Sequence, residues 1–263
     1  MNGFISDLDF AEYLKIDAIS ASGIKLFRES PAKYDLQKRG LYKPAESKAF
    51  KLGKAFEILV LEPEKSDSII ITECATESAK EYKEAVVNNP DTIILTAGDG
   101  ADVKRWARCC ETIIFANEIR GEAQVSATYD DENFGSIKCR FDLIDHGTQT
   151  IYDLKLMANA SPEQFAKDAY KFGYYIQGWW YRYIAEKLTG EKYRFKFIAQ
   201  EKHSMGDDER FTGIYEYYET DDANIEPIIK STLRKMQLAK TLGEYEGYGS
   251  RLIGLPSWAV ANV

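Results

Sequence analysis

The chain has 263 residues, 44% of them hydrophobic, which is enough to bury a sizeable core in one large domain. A net charge of -8 argues against a protein that coats nucleic acid non-specifically, although a local basic lining would suffice for a specific DNA site. Apolar runs are too short to span a bilayer, and the acidic start MNGFISDLDFAEYL is unlike a secretory signal. We therefore expect a soluble, cytoplasmic protein without membrane partners, folded as a single domain over residues 1–263.

Residues 1–118 are predicted to be the mainly helical part of this domain. Ser20 or Ser22 can cap a helix that begins near Gly23, and Pro31 interrupts or restarts it. The segment is also the most basic part of the chain and contains Lys25, Arg28, Lys33, Lys38 and Arg39. These side chains form either a solvated helix face or a surface that contacts phosphates.

A second helix, KAFKLGKAFEILVLEP, carries Glu57 among apolar neighbours and ends before Pro63. Glu57 lies either at the edge of the buried stripe or in a polar site. Short strands and further helices are predicted to follow at 68–74, 76–88, 92–95 and 99–117.

The cysteines favour buried thiols over a metal site. Cys74, Cys109, Cys110 and Cys139 form no C-x-x-C pair, and with two histidines in the chain a structural zinc site is not expected.

Residues 119–220 are predicted to form the core of the domain around a sheet. Three strands joined by short turns indicate an antiparallel meander, at 122–129, 136–144 and 150–155. Two more strands, at 193–202 and 211–219, and a charged helix at 222–243 complete the pattern. The helix belongs to a C-terminal part of the domain that runs from 221 to 263. The order of elements predicts an α/β (α+β) domain.

Asp142 and Asp153 are the candidate catalytic pair of this meander. Alternation along the first strand places two sets of side chains on opposite faces: Ser136, Lys138, Arg140 and Asp142 against Ile137, Cys139, Phe141 and Leu143. With a turn centred on Gly147 and Thr148, Asp142 lies directly opposite Asp153, with Cβ atoms about 5 Å apart. Carboxylates at that distance repel each other unless a divalent cation such as Mg²⁺ or Mn²⁺ binds them.

Lys155 shares the face of Asp153 and could orient a water molecule, help to deprotonate it, or stabilise charge on a phosphate. Glu122, at the start of the preceding strand, could supply a further carboxylate. The alternative for the hairpin is a solvated polar face with Lys155 paired to an acid, and the hairpin alone favours that alternative.

The helical region after the hairpin adds a second signal. Ser161 and Pro162 are typical of a helix start, with Ser161 as the capping residue, and Gly173 is expected to divide the region into two helices. In the second helix Gln177 and Tyr181 are neighbours one turn apart. One interpretation is that both side chains contact a substrate phosphate or nucleoside. The other is that Gln177 is an amide with its hydrogen bonds satisfied and Tyr181 is an aromatic residue of the core.

In this order the motifs resemble the PD-(D/E)XK nuclease superfamily, in particular phage and prophage exonucleases of the RecE (exonuclease VIII) type, which are related to the RecB nuclease domain and lambda exonuclease. The resemblance is carried by CRFD ending in Asp142, YDLK with Asp153 and Lys155, and YYIQGWWY with Gln177 and Tyr181. Other segments extend it over nearly the whole chain: ISASGIKLFRESPAKY (19–34), LGKAFEILVLEP (52–63) and GLPSWA (254–259).

The resemblance implies a restriction-endonuclease-like core, with a central mixed sheet flanked by helices. It implies that Asp142, Asp153 and the Leu154 carbonyl bind a divalent metal and that Lys155 positions the attacking water. Glu122 would take the upstream acidic position, and Gln177 and Tyr181 would match the Q-x-x-x-Y feature beside the site.

Two departures from the family pattern are visible. Glu57 stands where the family usually has histidine, so Glu57 becomes a candidate metal ligand through its oxygen atoms. Leu156 and Met157 replace the usual threonines after the lysine. Since no cysteine follows Cys139, we expect no iron–sulfur cluster.

The resemblance implies a Mg²⁺-dependent exonuclease that degrades linear double-stranded DNA from its ends in the 5′→3′ direction and leaves 3′ single strands for recombination. It also implies a ring-like homo-oligomer, a single-strand-annealing partner protein and a phage or prophage origin in a bacterial host. The alternatives are a structure-selective or single-strand nuclease, and an inactive nuclease-fold protein that binds DNA or assists assembly.

Overall fold

A six-stranded sheet forms the centre of the protein in a computed structural model that describes residues 2–203 and 206–249. The strands are β1 (Gly3–Ile5), β2 (Ile69–Ile71), β3 (Ile93–Leu95), β4 (Glu122–Asp131), β5 (Gly135–Asp145), β6 (Thr150–Met157), β7 (Arg194–Glu201) and β8 (Thr212–Glu216). The helices are α1 (Phe10–Lys15), α2 (Ala21–Glu29), α3 (Pro31–Lys38), α4 (Lys48–Leu61), α5 (Lys80–Asn88), α6 (Ala97–Ala116), α7 (Pro162–Lys171), α8 (Tyr174–Thr189) and α9 (Asp222–Leu242). The GLPSWA segment (254–259), part of the family resemblance, lies outside the described residues.

The central sheet is mixed, as the sequence predicts. Its strand order is β1-β4-β5-β6-β7-β8, in which β6 and β7 run parallel and the other neighbouring pairs run antiparallel. The β4–β5–β6 meander occupies its middle, while β2 and β3 form a separate parallel pair. The edge strand β1 was not predicted, because three residues are too few to show an alternating pattern.

Helices cover the sheet from two sides. One apolar cluster joins β4–β7 to α2, α8 and α9, and includes Ile24, Trp180 and Ile229. The other joins the opposite face to α4 and α6, and includes Phe56 and Trp106. Both faces of the meander are therefore covered, so polar side chains in its middle must find partners inside the protein.

The thiol prediction is confirmed for three of the four cysteines. Cys109, Cys110 and Cys139 are buried, and Cys74, which is half-buried, is also free. Among the described helices, none is long and apolar enough to cross a membrane.

Local sequence signals explain where the helices near the site begin. Ser20 accepts a hydrogen bond from the Gly23 amide and caps α2. Gly173 has φ of 65°, a left-handed conformation that favours glycine, and it separates α7 from α8 as predicted. Ser161 is the N-cap residue of α7, as predicted, with Pro162 in the first turn, although the Ser161 side chain makes no capping hydrogen bond.

A buried ion pair joins α8 to α9. Both carboxylate oxygens of Asp222 accept hydrogen bonds from Nη2 of Arg182, at 2.5 and 2.7 Å. The Arg182 side chain is 11% exposed, so few water molecules can replace this partner. The pair fixes α8, which also carries the candidate site residues Gln177 and Tyr181.

We expect Asp222→Ala to lower the free energy of unfolding by about 2–3 kcal/mol, because it leaves a buried guanidinium without its main partner. Glu226→Ala, also on α9, is the matched control. It breaks an exposed pair with Lys230, which contributes only about 0.3–0.5 kcal/mol. Urea unfolding of both variants measures the difference. Equal losses would contradict the assigned role of Asp222.

Candidate active site

Asp142 and Asp153 meet where the pairing between β5 and β6 stops. The ladder pairs Asp145 with Thr150 and Leu143 with Tyr152, which is the predicted register, and its next pair would be Asp142 with Asp153. Instead, Oδ2 of Asp142 accepts a hydrogen bond from the Leu154 amide at 2.8 Å. The carboxylate thus replaces a backbone carbonyl as the acceptor, and it lies in the opening between the two strands.

The predicted faces of β5 are wrong beyond Asp142. Phe141 packs in the cluster with α8, whereas Leu143, two residues later, packs in the cluster with α4 and α6. The neighbouring strand is distorted at the same level, where Gln124 has φ of 54°. Strict alternation would have placed Phe141 and Leu143 on one face, so the chain twists locally at Asp142.

Lys155 lies against Asp153, and Gln177 approaches from the other side. Lys155 Nζ forms an ion pair with Oδ2 of the buried Asp153. Nε2 of Gln177 donates a hydrogen bond to Oδ1 of the same carboxylate at 2.5 Å. The Lys155 ammonium also lies 5.0 Å from the centre of the Tyr174 ring. Both oxygens of Asp153 are thus held in position by side chains.

Tyr181, one helical turn after Gln177, is half-buried and packs against aromatic residues of the core. Its ring packs edge-on against Phe141 at 5.5 Å and Phe195 at 5.9 Å between centres. Burial is the main cause that raises the pKa of Tyr181 well above its ordinary value. The hydroxyl is therefore neutral at physiological pH, and the ring supports the end of β5 that carries Asp142.

Glu57 is brought to the site by the docking of α4 on β6. Gln124 holds it by donating a hydrogen bond from Nε2 to Oε1 of Glu57 at 2.6 Å. Gln124 itself accepts a hydrogen bond from Nε of Arg140 at 2.7 Å. Of the two alternatives for Glu57, the polar site rather than the edge of the stripe is the observed one.

The charges of this group are strongly interdependent. Burial raises the pKa of Asp142 well above its ordinary value, and the charges of Asp153 and Glu57 raise it further. Burial also raises the pKa of Glu57, against the lowering effects of the Gln124 hydrogen bond and the Lys155 charge. For Lys155 burial lowers the pKa, but the charges of Asp153 and Asp142 outweigh burial and the net pKa is raised. Lys155 is therefore a permanent cation here.

Glu122 lies apart from these residues. It is exposed at the start of β4, where it pairs with Ile144 and accepts a hydrogen bond from Ser6 at 3.3 Å. Gln124, which sequence analysis did not select, contacts Glu57 instead. Counting the β4–β5 register would have placed Gln124 level with Asp142, so a signal for it was present in the sequence.

The donor atoms suit a hard divalent cation. Glu57, Asp142 and Asp153 supply carboxylate oxygens, which are the ligands that Mg²⁺ and Mn²⁺ prefer. The Leu154 carbonyl points to the same side of its strand as the Leu154 amide, towards Asp142. Over residues 2–203 and 206–249, however, no three acidic, histidine or cysteine side chains converge into a preformed cation cage. Asp153 is instead neutralised by Lys155, which a bound cation would have to displace in part.

Comparisons with known proteins identify the family and the fold of this chain. A family model described as a PDDEXK-like domain of unknown function (DUF3799) matches residues 20–240. The fold is similar to a crystal structure of a "Putative exonuclease" from Eubacterium rectale, with a TM-score of 0.68, 20% identity and 96% coverage of both chains. A "phage related exonuclease" from Haemophilus somnus matches at a TM-score of 0.36 and 12% identity, over 88% of this chain and 98% of that one. No curated protein matches the sequence.

We expect Asp142→Asn to stabilise the metal-free protein at neutral pH. Folding raises the pKa of this acid, so the folded chain loses stability as pH rises above the ordinary carboxyl value of about 4. If the substitution raises the free energy of unfolding by about 1 kcal/mol, the midpoint of thermal unfolding rises by about 2–4 °C. Thermal unfolding in chelator between about pH 5 and about pH 8 should show this gain increasing with pH.

Asp145→Asn on the same strand is the matched control. A hydrogen bond from Thr148 lowers the pKa of Asp145, so neutralising it should destabilise the protein above the ordinary carboxyl pKa. An Asp142→Asn variant that is less stable than wild type at about pH 8 would refute the predicted repulsion.

Proposed function

This chain belongs to the PDDEXK-like family DUF3799, and we propose from that premise that it is a metal-dependent nuclease that hydrolyses phosphodiester bonds of DNA. One observation carries the proposal. Asp142 and Asp153 lie on adjacent strands at the opening of the β5–β6 ladder, with Lys155 paired to Asp153 and Gln177 fixing its other oxygen. A solvated polar face would leave Asp153 in water, whereas this carboxylate is buried and the side chain of Lys155 is only 17% exposed.

The chain's own residues have distinct roles in this proposal. Asp142, Asp153, Glu57 and the Leu154 carbonyl would hold Mg²⁺ or Mn²⁺, which supplies positive charge and acidifies a bound water. Lys155, as a permanent cation, orients the attacking water and stabilises negative charge that develops on the phosphate. In this proposal Lys155 acts by donating hydrogen bonds to the water and to the phosphate.

The two glutamines act by holding carboxylates. Gln177 restricts Asp153 to one rotamer, and Gln124 does the same for Glu57. Catalysis by positioned charges requires that their geometry be set before the substrate binds. Tyr181 contributes through its packing on Phe141, beside Asp142.

The finer proposal is an exonuclease that degrades linear double-stranded DNA from its ends in the 5′→3′ direction and produces 3′ single strands for recombination. The sequence resemblance to RecE-type enzymes supports it, and the similar protein from Eubacterium rectale also carries an exonuclease name. A ring-like homo-oligomer, a single-strand-annealing partner and action in the cytoplasm of a phage- or prophage-bearing bacterium belong to the same proposal. The second candidate is a structure-selective or single-strand nuclease with the same core. The intact Asp142, Asp153 and Lys155 oppose an inactive DNA-binding protein.

We expect Lys155→Ala and Asp153→Asn each to reduce Mg²⁺-dependent DNA cleavage by about 100-fold or more, because each removes a charge at the reacting phosphate or its metal. Release of labelled nucleotides from a linear duplex measures the rate. If the purified wild type leaves linear, circular and single-stranded DNA intact with Mg²⁺ and with Mn²⁺, the nuclease proposal is wrong.

Glu57→Gln and Glu122→Gln form a matched pair within the same assay. The Glu57 substitution should reduce cleavage by about 10-fold or more, because the loss of a ligand or of a group that orients one weakens metal affinity by about 10- to 100-fold. A higher Mn²⁺ concentration should therefore restore part of the activity. The Glu122 substitution should change the rate by less than about twofold, since surface changes away from a site have small effects. The reverse order would assign the upstream acidic role to Glu122.

End dependence separates the finer proposal from the second candidate. A linear duplex labelled at its 5′ ends should release labelled mononucleotides first, while a covalently closed circle of the same sequence should remain intact. Early release from 3′ labels would reverse the polarity. Cleavage of the closed circle, or of single strands at a higher rate, would favour the second candidate.

A further inference from the structure

Lys25, on α2, is a half-buried lysine beside the candidate active site. Its charge is close enough to Lys155 and Asp153 for both to affect its pKa. α2 packs against α8, the helix that provides Gln177 and Tyr174. Lys25 therefore brings a second ammonium group to the site from a part of the chain far from the β5–β6 hairpin.

The other basic residues of the predicted phosphate-contacting surface are directed elsewhere. Lys33, Lys38 and Arg39 form ion pairs with Glu29, Asp17 and Asp35, respectively. Arg28 is exposed. Lys25, in contrast, has no ion-pair partner within 2–203 and 206–249. The sequence left two interpretations of this basic segment, a solvated helix face and a surface that contacts phosphates. Three of the five residues form ion pairs on a solvated face, whereas Lys25 lies near the site.

The turn between α7 and α8 makes room for the Lys25 side chain. A Cβ atom on Gly173 would lie 3.1 Å from Cδ of Lys25, closer than an ordinary van der Waals contact. Glycine is thus favoured at this position both by its left-handed φ of 65° and by the close approach of the lysine stem. The next residue, Tyr174, has its ring 5.0 Å from the Lys155 ammonium. Consecutive residues of one turn therefore contact the two lysines.

We propose that Lys25 binds a phosphate oxygen of the DNA strand beside Lys155, as a substrate-positioning residue of the proposed nuclease. The ammonium is a compact cation with several donors, which suits a phosphate group of varying orientation. A phosphodiester placed between Lys25 and Lys155 would replace their mutual repulsion with two attractions. The proposal rests on the nuclease function proposed above and adds to it a residue outside the hairpin and α8.

The electrostatics around Lys25 are consistent with this role. Burial, together with the smaller effect of the Lys155 charge, lowers the pKa of Lys25 to about 8, while the charge of Asp153 acts in the opposite direction. A charged lysine in this position without a bound anion therefore costs stability. Binding of an anionic strand would remove that cost.

The test measures DNA binding apart from cleavage. Fluorescence anisotropy with a short labelled duplex, in Ca²⁺ in place of Mg²⁺, gives the dissociation constant at several salt concentrations between about 50 and 200 mM. Each lost phosphate contact should make the slope of log affinity against log salt less negative by about 0.9. We expect this change for Lys25→Met, which keeps the apolar stem, and little change for Lys25→Arg, which keeps the charge.

Lys80→Met is the matched control, because it removes the same charge from α5, where the side chain is 83% exposed. Its slope should equal that of wild type. If wild type cleaves DNA and Lys25→Met has the wild-type slope, the Lys25 proposal is overturned while the nuclease function stands. If wild type neither binds nor cleaves DNA, both proposals fail.

A second measurement on unaltered protein decides the matter if Lys25→Met does not fold. Acetylation of lysines followed by mass spectrometry compares labelling with and without duplex DNA. Protection of Lys25, with Lys80 labelled equally in both conditions, supports the proposal. Equal labelling of Lys25 in both conditions overturns it.

Discussion

The site depends on the electrostatic repulsion among carboxylates that the fold forces together. Asp142, Asp153 and Glu57 are brought within range of one another's charges in the middle of the sheet, where water screens them poorly. Lys155 offsets part of this repulsion through its ion pair with Asp153. The protein thus stores an unfavourable interaction that a divalent cation would relieve, which links metal binding to the stability of the surrounding strands.

The repulsion persists because hydrogen bonds hold each acid from outside the group. Asp142 accepts a hydrogen bond from the Leu154 amide, Asp153 accepts one from Gln177, and Glu57 accepts one from Gln124. These partners come from β6, α8 and β4, so three different elements must pack correctly before the site exists. The Arg182–Asp222 pair, at a distance from the chemistry, contributes by fixing the orientation of α8.

Local charge and net charge have different consequences in this molecule. The chain carries a net charge of -8, and many of its surface cations are paired with acids. Non-specific attraction to DNA should therefore be weak, since that attraction follows the number of unpaired cations that reach phosphates. Lys25 and Lys155 concentrate positive charge beside the carboxylates, so binding of a phosphate there depends on the site and not on the overall charge.

The sequence by itself determined the hairpin register, the placement of Asp142 level with Asp153, the neighbouring Lys155 and the pairing of Gln177 with Tyr181 on one helix. These relations span a turn or a few residues, and the geometry of strands and helices fixes them locally. Only the tertiary structure decided which distant residues join them. The hydrogen bond between Glu57 and Gln124 spans 67 residues, and Lys25 lies near the site only because α2 packs against α8. The same holds for the twist that moves Leu143 to the other face. No periodicity encodes such contacts, since they arise from how helices dock on a twisted sheet.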